Sequence, residues 1–275
     1  MVMIAQQSEF RKQNPVQAII ITNCPETLRS SVLLNTHLSE KWLESSLSPG
    51  IPKASTQELL ENEIYQAGLP LPPSHVYDAM SLSEVGCTYA HLRALKIAAK
   101  SDRPTLILED DAEFDPENLR QVLSNFHHLP EDAIVKLEGD DKPGRRIVLG
   151  PYCPESKFMI SIGPSRGSAG YLVTPVSAAR LIGAAYNYPL QYDVFLNDSN
   201  CHGCFLMDAV PFPIRQAGST SSTIIRGSRK RGLGHKLARQ YQKLDRRIRR
   251  ISTQIRWARK AKYTRVRFAK FYENG

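Results

Sequence analysis

Three consecutive acids, Glu109-Asp110-Asp111, follow the apolar run Thr105 to Leu108. Like charges at the end of a buried strand repel one another and lose hydration, so a cation is needed to offset them. Hard oxygen ligands there suit Mg2+ or Mn2+ holding a diphosphate. An acidic loop or helix cap that holds no ion is the plain alternative. A second acidic run, Glu138-Gly139-Asp140-Asp141, ends the apolar stretch Ala133 to Leu137, with Lys136 just before it. Upstream, Glu84, Cys87 and His91 are spaced by three and four, so one helix face carries all three. Cys201-His202-Gly203-Cys204 invites a metal reading but lacks the second ligand pair that a zinc site needs.

The elements that must position these residues follow from periodicity. Gln17 to Thr22 reads as a buried strand, and a helix is expected from about Pro25 to Ser46. Residues 48–56 and 68–75 are rich in Pro, Gly and Ser and read as loops. Ser81-Leu82-Ser83-Glu84 is a capping box that opens a helix to about Lys100, with Val85, Tyr89, Leu92 and Leu95 as its core stripe. Thr105 to Leu108 and Ala133 to Leu137 are buried strands that deliver the acids at their C-terminal ends. Asp115-Pro116 starts another helix, with Pro at the first helical position. Ile147 to Leu149 and Phe158 to Ile162 read as strands of a second set, Gly170 to Thr174 and Cys204 to Val210 as further strands, and Pro175 to Ala185 as a short helix. Strands alternating with helices predict an α/β fold with a mixed central sheet, whose C-terminal strand ends face the ligand crevice.

Charge divides the 275 residues in two. Residues 226–275 hold 18 Lys/Arg against two acids, Asp245 and Glu273, a net of +16. Residues 1–225 hold 18 Lys/Arg against 25 acids, a net of −7. An acidic body argues against a nucleic-acid-binding fold, which carries its positive charge on the folded surface. In the tail, Leu233, Leu237, Tyr241, Leu244, Ile248, Ile251, Ile255 and Ala258 recur at helical spacing, with Arg246, Arg247, Arg249, Arg250, Arg256, Arg259 and Lys260 among the rest. A basic amphipathic helix of this kind suits an anionic membrane surface through residues 233–262, or docking on the acidic body. Domains are expected at 1–225 and 226–275. The chain has no apolar run of membrane-spanning length and only five cysteines, and its first residues are polar. The expectation is a cytoplasmic protein held peripherally at the inner face of a membrane.

The stretch Leu82-Ser83-Glu84-Val85-Gly86-Cys87-Thr88-Tyr89-Ala90-His91, followed by Leu108-Glu109-Asp110-Asp111, resembles glycosyltransferase family 25 of lipopolysaccharide biosynthesis. Glu84, Gly86, Cys87 and His91 match that family's helix, and Ala90 stands where Ser is usual. Ile134 to Glu138, Gly167 to Val173, Ala178 to Leu181, Tyr192 to Leu196 and Gln216 are similar to later family segments, in the same order. The resemblance implies a GT-A-type fold and inverting transfer of a sugar, often galactose, from a nucleotide diphosphate donor to a saccharide. A UDP-sugar is the expected donor, and a lipid-linked saccharide a fitting acceptor.

Within that reading, Asp111 is the expected direct metal ligand, with Glu109 beside it. Glu109 and Asp110 position ribose, sugar hydroxyls or metal-bound water. Inversion needs a carboxylate to take the acceptor's proton, and Asp193 comes first, with Glu138 and Asp140 behind it. Asp193 is also placed to complete the metal or donor-sugar site. Thr22 and Asn23 are expected near the nucleobase, Arg29 near the diphosphate, and His91, Lys136 and Gln216 around the donor. Two rival readings remain: a polyanion- or nucleic-acid-binding protein working through its tail, and an inactive saccharide-binding member of the family.

Overall fold

The computed structural model describes residues 16–22, 33–39, 43–52, 54–125, 130–139, 145–153, 156–162 and 167–217, and in the tail 248–249, 251–253, 255–257 and 259. Its centre is a mixed eight-stranded sheet in the order β2-β1-β3-β8-β5-β9-β7-β6. The strands are β1 (Gln17–Thr22), β2 (Glu44–Pro49), β3 (Thr105–Glu109), β5 (Ala133–Lys136), β6 (Arg145–Cys153), β7 (Ser156–Ile162), β8 (Gly170–Val173) and β9 (Phe205–Val210). β1 runs parallel to β2 and β3, and β5 parallel to β9. β8 lies antiparallel between β3 and β5. β7 pairs antiparallel with both β9 and β6, so the strands expected as a second set are instead the far edge of the same sheet. Consequently β1, β3, β5 and β9 all end at one edge, and β8 begins there. A separate two-stranded ribbon pairs β4 (Ala112–Phe114) with β10 (Ile214–Gln216) just beyond that edge.

Alternation along the central strands builds two cores. Ala18, Ile20, Leu106, Leu108, Val135 and Leu172 face one side, while Ile19, Ile21, Ile107, Ile134, Tyr171 and Val173 face the other. A strand period of two forces this division, and both faces being apolar is what a sheet covered on both sides requires. The first face is covered by α1 (33–39) and α5 (Pro116–Asn125) through Leu38, Leu119, Val122 and Leu123. The second is covered by α2 (Gln57–Gln66), α3 (Ser74–Ala79), α4 (Leu82–Ala98), α6 (Pro175–Ala185) and α7 (Tyr192–Leu196). A short α8 (Ser199–His202) leads into β9.

Local chemistry sets the helix starts. The capping box of α4 is formed: Glu84 N–H donates to Ser81 Oγ at 3.3 Å, and Ser81 N–H donates to Glu84 Oε2 at 2.8 Å. Asp115 Oδ1 accepts from the backbone N–H groups of Glu117 and Asn118 at the start of α5. Val85, Tyr89, Leu92 and Leu95 are buried as the stripe predicts, but so are Ala90, His91, Ala94 and Ala98. α4 is therefore enclosed on most of its circumference.

The expected helix from Pro25 to Ser46 is corrected. Only 33–39 is helical among the described residues there, and Glu44–Pro49 is a strand paired residue for residue with β1. The same pairing takes Ser48 and Pro49 out of the expected 48–56 loop, and Ser74 and His75, expected within the 68–75 loop, instead open α3. β2 reads Glu-Ser-Ser-Leu-Ser-Pro, and its own pattern carries no strand signal. Its conformation comes from docking on the edge of β1, with Pro49 at the end of an edge strand where a missing N–H is tolerated. The tail positions Leu233, Leu237, Tyr241, Leu244, Ala258, Arg246, Arg247, Arg250 and Lys260 lie outside the described residues.

Candidate active site

The strand period decides where the acids point. Glu109 is two residues beyond Ile107, so it faces α4, and Asp111 follows the strand end. On α4, His91 is 1% exposed and meets Glu109: Nε2 lies 3.3 Å from Oε1. Ser168 Oγ donates to the same Oε1 at 2.7 Å. Burial drives the Glu109 carboxyl up, but the hydrogen bonds and charge of His91, with the Ser168 hydrogen bond, outweigh it and hold Glu109 below the usual carboxylate range. Glu109 is thus kept ionised inside the fold.

His91 is held from behind. Its Nδ1 is 3.1 Å from the Tyr171 hydroxyl, which is 2.7 Å from the Tyr192 hydroxyl. The His91 and Tyr192 rings stack at 3.9 Å and 5°. Burial raises both phenols, so both stay protonated. The two hydroxyls and both ring nitrogens of His91 thus form one continuous chain of polar contacts that ends on Glu109.

Asp111 is differently placed. The late Gln216, carried there by the β4–β10 ribbon, donates through Nε2 to Asp111 Oδ2 at 2.8 Å. Asp111 Oδ1 is buried and has no hydrogen-bond partner among the described residues. Burial, with the neighbouring charges of Glu109 and Asp110, raises the Asp111 carboxyl against the Gln216 hydrogen bond. A carboxylate oxygen left bare beside like charges can be satisfied by a cation or by a proton. Among the described residues no group of three or more His, Cys, Asp or Glu is arranged to hold a metal ion.

Glu138 follows β5 at the same edge. Its Oε2 accepts from Ala169 N–H at 2.7 Å. Gly167, at φ 93°, packs against this carboxyl; a Cβ there would collide with it, and L residues rarely adopt that φ. Burial, together with the charges of Glu109 and Asp111, pushes the Glu138 carboxyl up to about 7, against the Ala169 hydrogen bond and Lys136. Lys136 itself is fully buried and stands in register with the buried Asp208 of β9.

Cys87 shows which carboxylates share the space. Burial raises its thiol most, followed by the charges of Glu109, Asp193, Glu84 and Asp111. The thiol is therefore protonated and is no nucleophile. Asp193, half-buried in the first turn of α7, belongs to this neighbourhood, and its Oδ1 accepts from Val194 N–H at 2.8 Å. Glu84, the remaining member, is tied to its own cap and to the Gln191 side chain.

The expected residues Glu109, Asp111, Glu138, Asp193, His91, Lys136 and Gln216 thus gather around one sheet edge, with Asp110 beside them. Thr22 ends β1 at that edge, its carbonyl accepting from Gly50 N–H. Asn23, Arg29 and Asp140 lie outside the described residues. Sequence reasoning did not single out Ser168, Ala169 or Tyr192 as site groups, and took Tyr171 only as part of a strand; a tyrosine in each of two matched segments was the available signal. The Cys-His-Gly-Cys segment is structural. His202 Nε2 donates to Leu196 O and Nδ1 accepts from Cys204 N–H, both at 3.2 Å. Burial lowers that histidine to about 4, so it is neutral with both nitrogens in use.

An α/β sheet with carboxylates collected at the ends of its parallel strands is a ligand-binding architecture. The family model for glycosyltransferase family 25, described as an LPS biosynthesis protein, matches residues 51–196. That is more than half of the chain, and the protein belongs to this glycosyltransferase family. No curated protein matches the sequence significantly. Among the described residues no helix is long and apolar enough to cross a membrane.

Proposed function

We propose that this family member is an inverting, divalent-metal-dependent hexosyltransferase with a GT-A-type fold. It moves a sugar, galactose by family resemblance, from a UDP-type donor to a saccharide of lipopolysaccharide or a similar glycoconjugate. The observation that supports this reading is the bare, buried Oδ1 of Asp111 among Glu109 and Asp110. One such oxygen, with Glu109 beside it, fits Mn2+ or Mg2+ held by one or two carboxylates and the donor's phosphates rather than by a protein cage. When bound, the metal stabilises negative charge on the leaving diphosphate.

The chain's own groups do the rest. Gln216 fixes Asp111, and His91 with Ser168 fixes Glu109, so both carboxylates meet the ligand pre-oriented. Asp110 reaches ribose or sugar hydroxyls, Thr22 and Asn23 the base, and Arg29 the diphosphate. Glu138 is the better base of the two leading candidates, because a carboxyl raised to about 7 is matched to proton transfer near neutral pH. It takes the acceptor's hydroxyl proton while that oxygen bonds to C1 and the C1–diphosphate electron pair leaves with the diphosphate. Asp193 then serves the donor sugar or the metal. The charge of Lys136 opposes that rise from within the core and favours the ionised form of Glu138. The enzyme works at the inner face of a membrane, held there peripherally by its basic tail.

The test is a panel of nucleotide sugars with Mn2+, read as donor hydrolysis and as transfer to saccharides. Asp111→Ala is expected to abolish turnover while circular dichroism stays native. Transfer that needs no divalent metal, or that survives Asp111→Ala, refutes the metal assignment.

A further inference from the structure

Among the described residues of the tail, the isoleucines of its apolar stripe are not turned toward the protein. Ile248, Ile251 and Ile255 remain 60%, 36% and 43% exposed. The contacts to the body come from other residues. Trp257 lies edge-on to Phe205 at 5.0 Å between ring centroids and packs against the first core. Thr253 Oγ1 donates to the side chain of Asn200. At 3.6 residues per turn the three isoleucines span about 60° of arc, and Thr253 with Trp257 about 40°, on opposite sides of the helix. Within each described helical stretch, 251–253 and 255–257, residues two apart stand about 200° around the axis, so Thr253 lies opposite Ile251 and Trp257 opposite Ile255.

We infer that this helix is a two-faced adaptor: Thr253 and Trp257 clamp it to the catalytic body, and Ile248, Ile251 and Ile255 enter an anionic bilayer surface. The inference rests on the membrane reading given above and adds which face does what. Charge selects the occupant. Arg249, Arg256 and Arg259 are exposed on the flank of the stripe, in a segment whose 50 residues carry 18 Lys/Arg and two acids. Anionic headgroups offset that charge, whereas a second copy of the same helix would repel it. The clamp also orients the enzyme. Phe205 begins β9, in register with Ala133 at the start of β5, so the helix docks at the sheet end away from Glu109, Asp111 and Glu138. A bilayer against the isoleucines leaves the carboxylate edge uncovered.

The experiment is co-sedimentation of the full chain with phosphatidylglycerol-containing and pure phosphatidylcholine vesicles, without donor. The native chain is expected to bind the anionic vesicles, and the triple variant Ile248→Glu, Ile251→Glu, Ile255→Glu to lose roughly tenfold or more of that affinity. Donor hydrolysis in solution is expected to be unchanged in the variant, which separates this idea from the catalytic one. In a Trp42→Phe background Trp257 is the sole tryptophan. Its emission is expected to resist quenching by brominated lipid, because it faces the body. Native binding that the triple variant retains, or strong quenching of Trp257, overturns the assignment of faces. Absence of binding to anionic vesicles overturns the membrane reading itself. A native dimer that the triple variant dissociates gives the stripe to self-association and also refutes the inference.

Discussion

Glu138→Gln removes one negative charge from the acid cluster while keeping the shape of the side chain and an oxygen to accept from Ala169 N–H. The native carboxyl is raised from an ordinary 4.5 to about 7 by burial and by Glu109 and Asp111. A carboxyl raised in this way stabilises the fold while it is protonated, and that contribution is lost as pH rises through its folded value. The native protein is therefore expected to lose about 2 kcal/mol relative to Glu138→Gln between about pH 5 and about pH 8. The amide of the variant does not ionise and carries no such cost, so the variant's advantage appears only on the alkaline side. Urea unfolding of both proteins at the two pH values isolates the titration of Glu138 and of the carboxylates coupled to it, because the remaining groups cancel in the difference. In the same variant kcat/KM is expected to fall about 100-fold or more, since no group is left to take the acceptor's proton. The native pH–rate profile should rise through about 7, a limb the variant lacks. Parallel stability curves at the two pH values would refute the account of a buried, raised carboxyl. Unchanged turnover in the variant would refute Glu138 as the base and return that role to Asp193.

Three further outcomes follow from the same geometry. Asp111→Asn relieves like-charge repulsion, so the metal-free fold should be at least as stable as native by thermal unfolding while transfer is lost; a marked fall in stability would mean that Asp111 is a structural cap. Tyr171→Phe removes one hydroxyl from the chain behind His91 and should cost about 1 kcal/mol, with a larger effect on kcat than on KM because Glu109 is less firmly oriented; an unchanged kcat would make that chain purely structural. Chelation with EDTA should stop transfer, and added Mn2+ should restore it; activity that persists after chelation would rule out the metal.

A large part of this arrangement was legible in the residues. The apolar runs that end in acids required strands whose ends hold charge, because nothing else reconciles Leu106-Ile107-Leu108 with Glu109-Asp110-Asp111. The capping box fixed the start of α4 to the residue, since both partners lie within four positions of the chain. His91 was marked by its spacing from Glu84 and Cys87, and it does lie among the acids. The helix expected up to Ser46 failed because β2 owes its conformation to β1, a partner its own letters do not mention.

Local pattern determined the central strands, the caps, the acidic edge and the helical spacing of the tail's apolar residues, because each depends on residues a few positions apart. The tertiary structure alone decided what each group meets. Gln216 reaches Asp111 across 105 positions, Ser168 reaches Glu109 across 59, and Tyr171 reaches His91 across 80. It also decided that Glu138, not merely one acid among many, carries a carboxyl near 7, since that value comes from burial and neighbours rather than residue type. The tail shows the division most plainly. Periodicity marks an apolar stripe in the tail, but only the packing of Trp257 on Phe205 tells which of its described residues are turned to the body and which are left facing outward.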